Sequence, residues 1–123
     1  MAYANYLESE ILSATRIELV RALYRGAVDA TVQARRHVTN GNIRERSRQI
    51  TKAWEILAEL ARSLDHAHGG ELSRSLVELY VYMQNRLLEA NANQSHEPLA
   101  EVERLLTTLA EAWNLLPAVD HAY

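Results

Sequence analysis

Cysteine is absent from all 123 residues, and glycine and proline are scarce at four and two. Without cysteine there are no disulfides, no thiolate metal sites and no Cys nucleophile. With so little turn chemistry, many short strands are disfavoured and helices are favoured from the outset. No apolar run approaches the roughly 20 residues of a membrane span, so no membrane insertion is expected. Met1 to Glu10 carries two acids and no base, the reverse of a secretory signal. The expectation is a soluble, cytoplasmic protein. What remains is ordinary globular composition, 48% hydrophobic and 24% charged, in a chain long enough for one domain with its own core.

Helix boundaries are legible in the punctuation. Thr15 with Glu18 and Asn42 with Glu45 both have capping-box spacing, in which a side-chain oxygen and a carboxylate satisfy exposed N–H groups. Asn40-Gly41 supplies a left-handed terminator, Gly69-Gly70 breaks the chain, and Pro117 forbids continuation of the last helix. The spacing predicts helices over 15–40, 42–66, 70–92 and 96–116, an amino-terminal arm over 1–14 and a tail over 117–123. Ile17, Val20, Tyr24, Ala27, Thr31, Ala34 and Val38 step by three and four, as do Leu99, Val102, Leu106, Leu109, Trp113 and Leu116. Ile50, Trp54, Leu57, Ala61 and Leu64 form the expected core stripe of the second helix. Leu72, Leu76, Leu79, Met83 and Ala90 form that of the third. Such stripes and short connections predict an all-α, antiparallel up-down-up-down four-helix bundle, a single domain with a short helical arm.

Two helices carry more apolar surface than the bundle needs. Ala53, Ile56 and Leu60 make a second stripe on helix two, and seven of the eight residues from Leu76 to Met83 are apolar or Tyr. The arm adds Tyr3, Tyr6, Leu7, Ile11 and Leu12. Two compatible readings follow: the arm lies across this second face and buries it, and the face is a groove for a partner's amphipathic helix with the arm as a removable, regulatory cover.

Chemistry is sparse by comparison. Glu-x-x-His pairs of di-iron bundles are missing, and Gly69-Gly70 is no phosphate loop. Asp65-His66-Ala67-His68 has donors for a divalent ion but reads more simply as a polar turn, with His beside a negative helix end. No cofactor, no metal and no catalysis are expected. The net charge of −3 hides an uneven layout: Arg35, Arg36, Arg44, Arg46, Arg48 and Lys52 face only Glu45, so this stretch carries +5 and the remainder −8. It could contact phosphates or an acidic partner, making the chain a regulatory or adaptor bundle that binds a folded protein or nucleic acid through the Arg35–Lys52 hairpin. A pI near 5.9 lies well below that of typical nucleic-acid binders, so a solvated helix face is preferred and no nucleic acid is expected.

Taken in order, several segments resemble the FliS family of flagellin-export chaperones. They are Tyr6-Leu7 through Ile11-Leu12-Ser13-Ala14-Thr15, Leu23-Tyr24-Arg25-Gly26-Ala27, Ala53-Trp54-Glu55-Ile56, Gly69-Gly70-Glu71-Leu72, Leu79-Tyr80-Val81-Tyr82-Met83 and Trp113. The resemblance runs from about Tyr6 to Trp113. Arg16 stands where the family usually has Pro, and Arg25 where an acid is common. The resemblance implies a cytoplasmic bacterial chaperone that binds the disordered carboxy-terminal segment of flagellin, prevents premature polymerisation and keeps it competent for export. It leaves room for export-gate or regulatory proteins as further partners. With helical facing it points to Ile56, Leu60, Val81 and Tyr82 as flagellin contacts, and to Tyr6, Leu7 and Ile11 as the cover.

Overall fold

The computed structural model describes residues 2–115 and residue 123; within these, the side chains of 2, 3, 6, 9–14 and 115 are not described. Among the described residues four helices follow one another: α1 (Ala2–Asn40), α2 (Ile43–Arg62), α3 (His66–Asn93) and α4 (His96–Leu115). Connections of two or three residues force each helix to reverse on its predecessor. α1 packs on α2 and α4, and α3 packs on the same two, which closes an antiparallel square.

The punctuation explains most of the ends. Gly41 turns left-handed at φ 70°, and the Asn42 N–H reaches back 3.0 Å to the His37 carbonyl, a Schellman closure. Asn42 then caps α2, its side chain accepting from the Glu45 N–H at 3.2 Å. α3 closes in the same manner, with Gln94 left-handed at φ 51° and the Ser95 N–H on the Ala90 carbonyl.

Three boundaries differ from expectation. α1 is helical from Ala2, so Thr15 and Glu18 lie within a helix rather than at its start, and residues 2–14 prolong α1 in one piece. α2 stops at Arg62, four residues early, because Asp65 caps the next helix by accepting from the His68 N–H at 3.2 Å. α3 therefore opens at His66 and kinks at Gly70 (φ 52°, ψ −123°), a conformation open to glycine alone. The two histidines sit at the positive end of α3, not at a negative terminus. His68 is fixed there by an Nδ1 contact of 2.7 Å to Asp65, whose carboxyl this hydrogen bond holds below the usual range.

The core combines Val20, Tyr24, Ala27 and Ala34 of α1 with Ile50, Ala53, Leu57 and Leu60 of α2. α3 gives Leu76, Tyr80, Met83 and Leu87, and α4 gives Leu99, Val102, Leu106 and Trp113. The stripes of α1 and α4 lie as spaced, with Leu116 outside the described residues. That of α2 holds at Ile50, Leu57 and Leu64 but shifts by one position between them: Ala53 and Leu60 are fully buried, while Trp54 points out at 36% exposure and Ala61 is half-buried. Gly26 approaches α2 so closely that a Cβ there would stand 3.3 Å from Ile56 Cδ1, so the missing side chain lets α1 and α2 pack close together. On α3, Leu72 is exposed, whereas Tyr80 and Leu87 are wholly enclosed.

A polar thread crosses this core. The Tyr24 and Tyr80 hydroxyls share a hydrogen bond, Tyr80 shares another with Tyr123, and Trp113 Nε1 donates to the Tyr24 hydroxyl at 3.2 Å. Burial pushes the Tyr24, Tyr80 and Tyr123 hydroxyls above the usual tyrosine range, so all three are neutral donors and acceptors.

Candidate functional site

The residues singled out by sequence do not converge on one groove. Leu60 is fully buried and offers no surface, because it belongs to the rotated core stripe of α2. Ile56 is partly buried and lies against Gly26, in the α1/α2 seam. Val81 and Tyr82 are exposed at 47% and 44%, but successive helical residues diverge by about 100°, and they flank different neighbours. Leu7 is exposed on the extended α1; Tyr6 and Ile11 have side chains outside those described.

An exposed apolar surface lies where α3 meets α2. Val77, Val81, Gln84 and Leu88 step by four, three and four along one flank of α3. Gln84 Nε2 donates to the Trp54 carbonyl at 3.2 Å, which sets this flank beside Trp54 of α2. Farther along the seam, the Ser47 hydroxyl donates to Asn91 Oδ1 at 3.0 Å, and Ile43, at 55% exposure, opens α2 near that end. Trp54, Val81, Leu88 and Ile43 thus give an apolar band carried by two rigid helices. Sequence reading missed Trp54 and Leu88 in this role. The signal was present in Leu88, which repeats Val81 at seven residues.

Tyr82 belongs to the other flank. Its hydroxyl donates to Glu101 Oε1 at 2.7 Å, and Arg86 Nε donates to the same oxygen at 2.6 Å. Arg86 also reaches Glu97 and Glu89, at 2.8 and 2.7 Å. The Tyr82 hydrogen bond, then that from Arg86, holds the Glu101 carboxyl below its usual range, and the same Glu101 contact raises Tyr82. A phenol ring is thereby held at the α3/α4 seam and left 44% exposed.

Two of the six basic residues, Arg35 and Arg46, are engaged within the fold. Arg35 pairs with Glu103 at 3.0 Å. Arg46 is only 5% exposed and donates from Nε and Nη2 to the Asn91 side chain and carbonyl, tying α2 to the end of α3. Arg48 lies 3.8 Å from Glu45. Arg44, Arg48 and Lys52 remain as one exposed ridge along α2, the pattern of a solvated face. Among the described residues, no three His, Asp or Glu side chains are placed to hold a metal ion, and no helix is long and apolar enough to cross a membrane.

Comparison with known proteins shows the family. The sequence model of the family described as flagellar protein FliS matches residues 1–119. The flagellar secretion chaperone FliS of Salmonella typhimurium is 40% identical over 114 residues, covering 91% of this chain and 84% of that protein. The Escherichia coli protein of that name is 36% identical over 114 residues, with the same coverage. That of Bacillus subtilis is 32% identical over 111 residues, covering 90% and 82%. With a family match across nearly its whole length and relatives at this identity, the chain belongs to the FliS family of flagellar proteins.

Proposed function

We propose that this protein is a flagellar export chaperone that binds the disordered carboxy-terminal segment of flagellin in the cytoplasm and masks it until secretion. The observation that supports the reading most is the exposed apolar band of Trp54, Val81, Leu88 and Ile43 on a bundle whose core is already closed. The mechanism is binding without turnover. A flagellin segment gains helix as it lies along the α2/α3 seam, and burial of its apolar side chains offsets the cost of ordering it. Tyr82 adds a fixed ring at the next seam. The first turns of α1, with Tyr6, Leu7 and Ile11, form the part that borders or covers the bound segment. Leu60 acts from within the core by supporting α2, and Ile56 by seating α2 on α1.

The test is calorimetric titration with a flagellin carboxy-terminal peptide from the same organism. The expected result is saturable binding with a large negative heat-capacity change and new helicity by circular dichroism. No binding at roughly 100 µM peptide, weaker than about −5.5 kcal/mol, overturns the reading.

A further inference from the structure

Tyr123 belongs to none of the four helices, yet it is 3% exposed. Its ring stands edge-on to Trp113, with centroids 5.2 Å apart and planes at 68°, and its hydroxyl joins Tyr80. The walls around it are bound to one another without its help. Tyr24 of α1 is hydrogen-bonded to Tyr80 of α3, and Trp113 of α4 donates to Tyr24. Arg21 of α1 closes the corner by donating from Nε and Nη2 to the Trp113 carbonyl, at 3.3 and 3.2 Å. At the rim, Arg16 Nη1 donates to the Tyr123 main-chain oxygen at 2.9 Å. The occupant is thus read at its ring, its hydroxyl and its backbone, as an amino-acid residue of a polypeptide would be.

We infer that this end of the bundle is a preformed socket for a tyrosine side chain, closed in the free chain by Tyr123 and open to a tyrosine of another polypeptide segment when Tyr123 leaves. Its specificity comes from the hydroxyl thread. A phenyl ring fills the same space but leaves the Tyr80 hydroxyl short of a partner in a dry site, which discriminates by about tenfold or more. Its regulation comes from tethering. A side chain on the same chain has an effective concentration in the millimolar range or above, so a free phenol competes poorly. A tyrosine held nearby by other contacts of a bound polypeptide competes well. Nothing in this device depends on which polypeptide is bound.

The experiment uses the full chain carrying Tyr123→Ala, with p-cresol and toluene as probes. The chain has two tryptophans, so the Trp113 indole N–H is one of two signals in a nitrogen-15 spectrum. The substitution should displace that signal, and p-cresol should return it toward its original position at millimolar concentration, about tenfold more tightly than toluene. A peptide of residues 114–123 should do the same more tightly than p-cresol, and lose about tenfold when its Tyr is replaced by Phe. The unsubstituted chain should not respond to p-cresol over that range. Equal binding of p-cresol and toluene, no response of the substituted chain, or an equal response of the unsubstituted chain overturns the inference. If Tyr123→Ala does not fold, Tyr123→Phe serves. Its weaker plug should let p-cresol compete about tenfold better than in the original chain, and no difference overturns the proposal.

Discussion

Tyr80 and Tyr82 stand two residues apart on α3 and live in opposite worlds. Tyr80 is fully enclosed, its hydroxyl spent on Tyr24 and Tyr123, while Tyr82 is 44% exposed and its hydroxyl rests on Glu101. Both hydroxyls are raised above the ordinary tyrosine range, the first chiefly by burial and the second by a carboxylate. The contrast divides the molecule. The inner surfaces of the helices use their polar groups to close the fold, and the outer flanks of α2 and α3 hold side chains in place without covering them. On this reading, stability and partner binding separate along the circumference of a single helix.

The strongest way to break that division is to truncate the inner tyrosine. Tyr80→Ala should lower unfolding free energy by about 3–5 kcal/mol, since it removes a buried aromatic, takes the partner of the Tyr123 hydroxyl and leaves Tyr24 with Trp113 alone. Urea titration by far-ultraviolet circular dichroism measures it. Tyr82→Ala should leave the midpoint close to that of the original chain and weaken flagellin-peptide binding instead. If Tyr82→Ala proves the more destabilising, the inner and outer roles are reversed.

α2 offers the same contrast among arginines. Arg46→Ala should cost about 1–3 kcal/mol, because Asn91 loses two donors at the part-buried α2/α3 seam. Arg44→Ala, on the exposed ridge two residues earlier, should change stability by less than about 0.5 kcal/mol. Equal midpoints for the two variants would return Arg46 to the solvated face.

These two arginines also show how far the sequence could be read. Helix number, type and the stripes of α1 and α4 followed from three-four spacing and from residues whose backbone needs are narrow, such as Gly41. The rotation of α2 did not. Spacing alone admits both Trp54-Leu57-Ala61 and Ala53-Leu57-Leu60, side-chain size favours the first, and the period of α2 does not contain how closely α1 packs at Gly26. Arg46 in fact steps by four and three to Ile50 and Ala53, so its phase marked it as inward; its charge concealed that. On α3, an almost wholly apolar run must leave some residues outside, and Val81 and Tyr82, chosen by helical facing and family resemblance, are among those exposed. Their separation onto two seams depends on which neighbours α3 has, which no local pattern contains. Tyr123 lay beyond reach, since a residue outside any helix has no period to read.

A charge placed on the outer flank tests the apolar band directly. Val81→Asp or Leu88→Asp should reduce flagellin-peptide affinity at least tenfold, about 1.4 kcal/mol, by desolvating a carboxylate against the bound segment. Neither should shift the unfolding midpoint appreciably, both side chains being about half exposed. Loss of binding accompanied by loss of fold would dissolve the distinction between the two surfaces.

The smallest effect should appear in the pH dependence of stability, where the outer carboxylates and the inner tyrosines act on opposite limbs. Glu101 is held below its ordinary value of 4.5 by Tyr82 and Arg86, so its contribution is complete above that pH and is lost as pH falls through the lowered value. Asp65, lowered by His68, acts on the same limb. The buried tyrosines work in reverse. Their hydroxyls lie above the ordinary 10.0, so their contribution is complete below pH 10 and declines above it, where the unfolded chain releases protons that the native one keeps. Unfolding midpoints measured from pH 3 to pH 11 should therefore fall at both ends. Glu101→Gln should flatten the acid limb, and Tyr24→Phe the alkaline one. Tyr82 also titrates on the alkaline limb, because Glu101 raises it, so Tyr24→Phe is the cleaner probe of the interior. An alkaline limb untouched by Tyr24→Phe would mean that the hydroxyl thread is not closed to water, and the sharpest difference between the two surfaces of α3 would be gone.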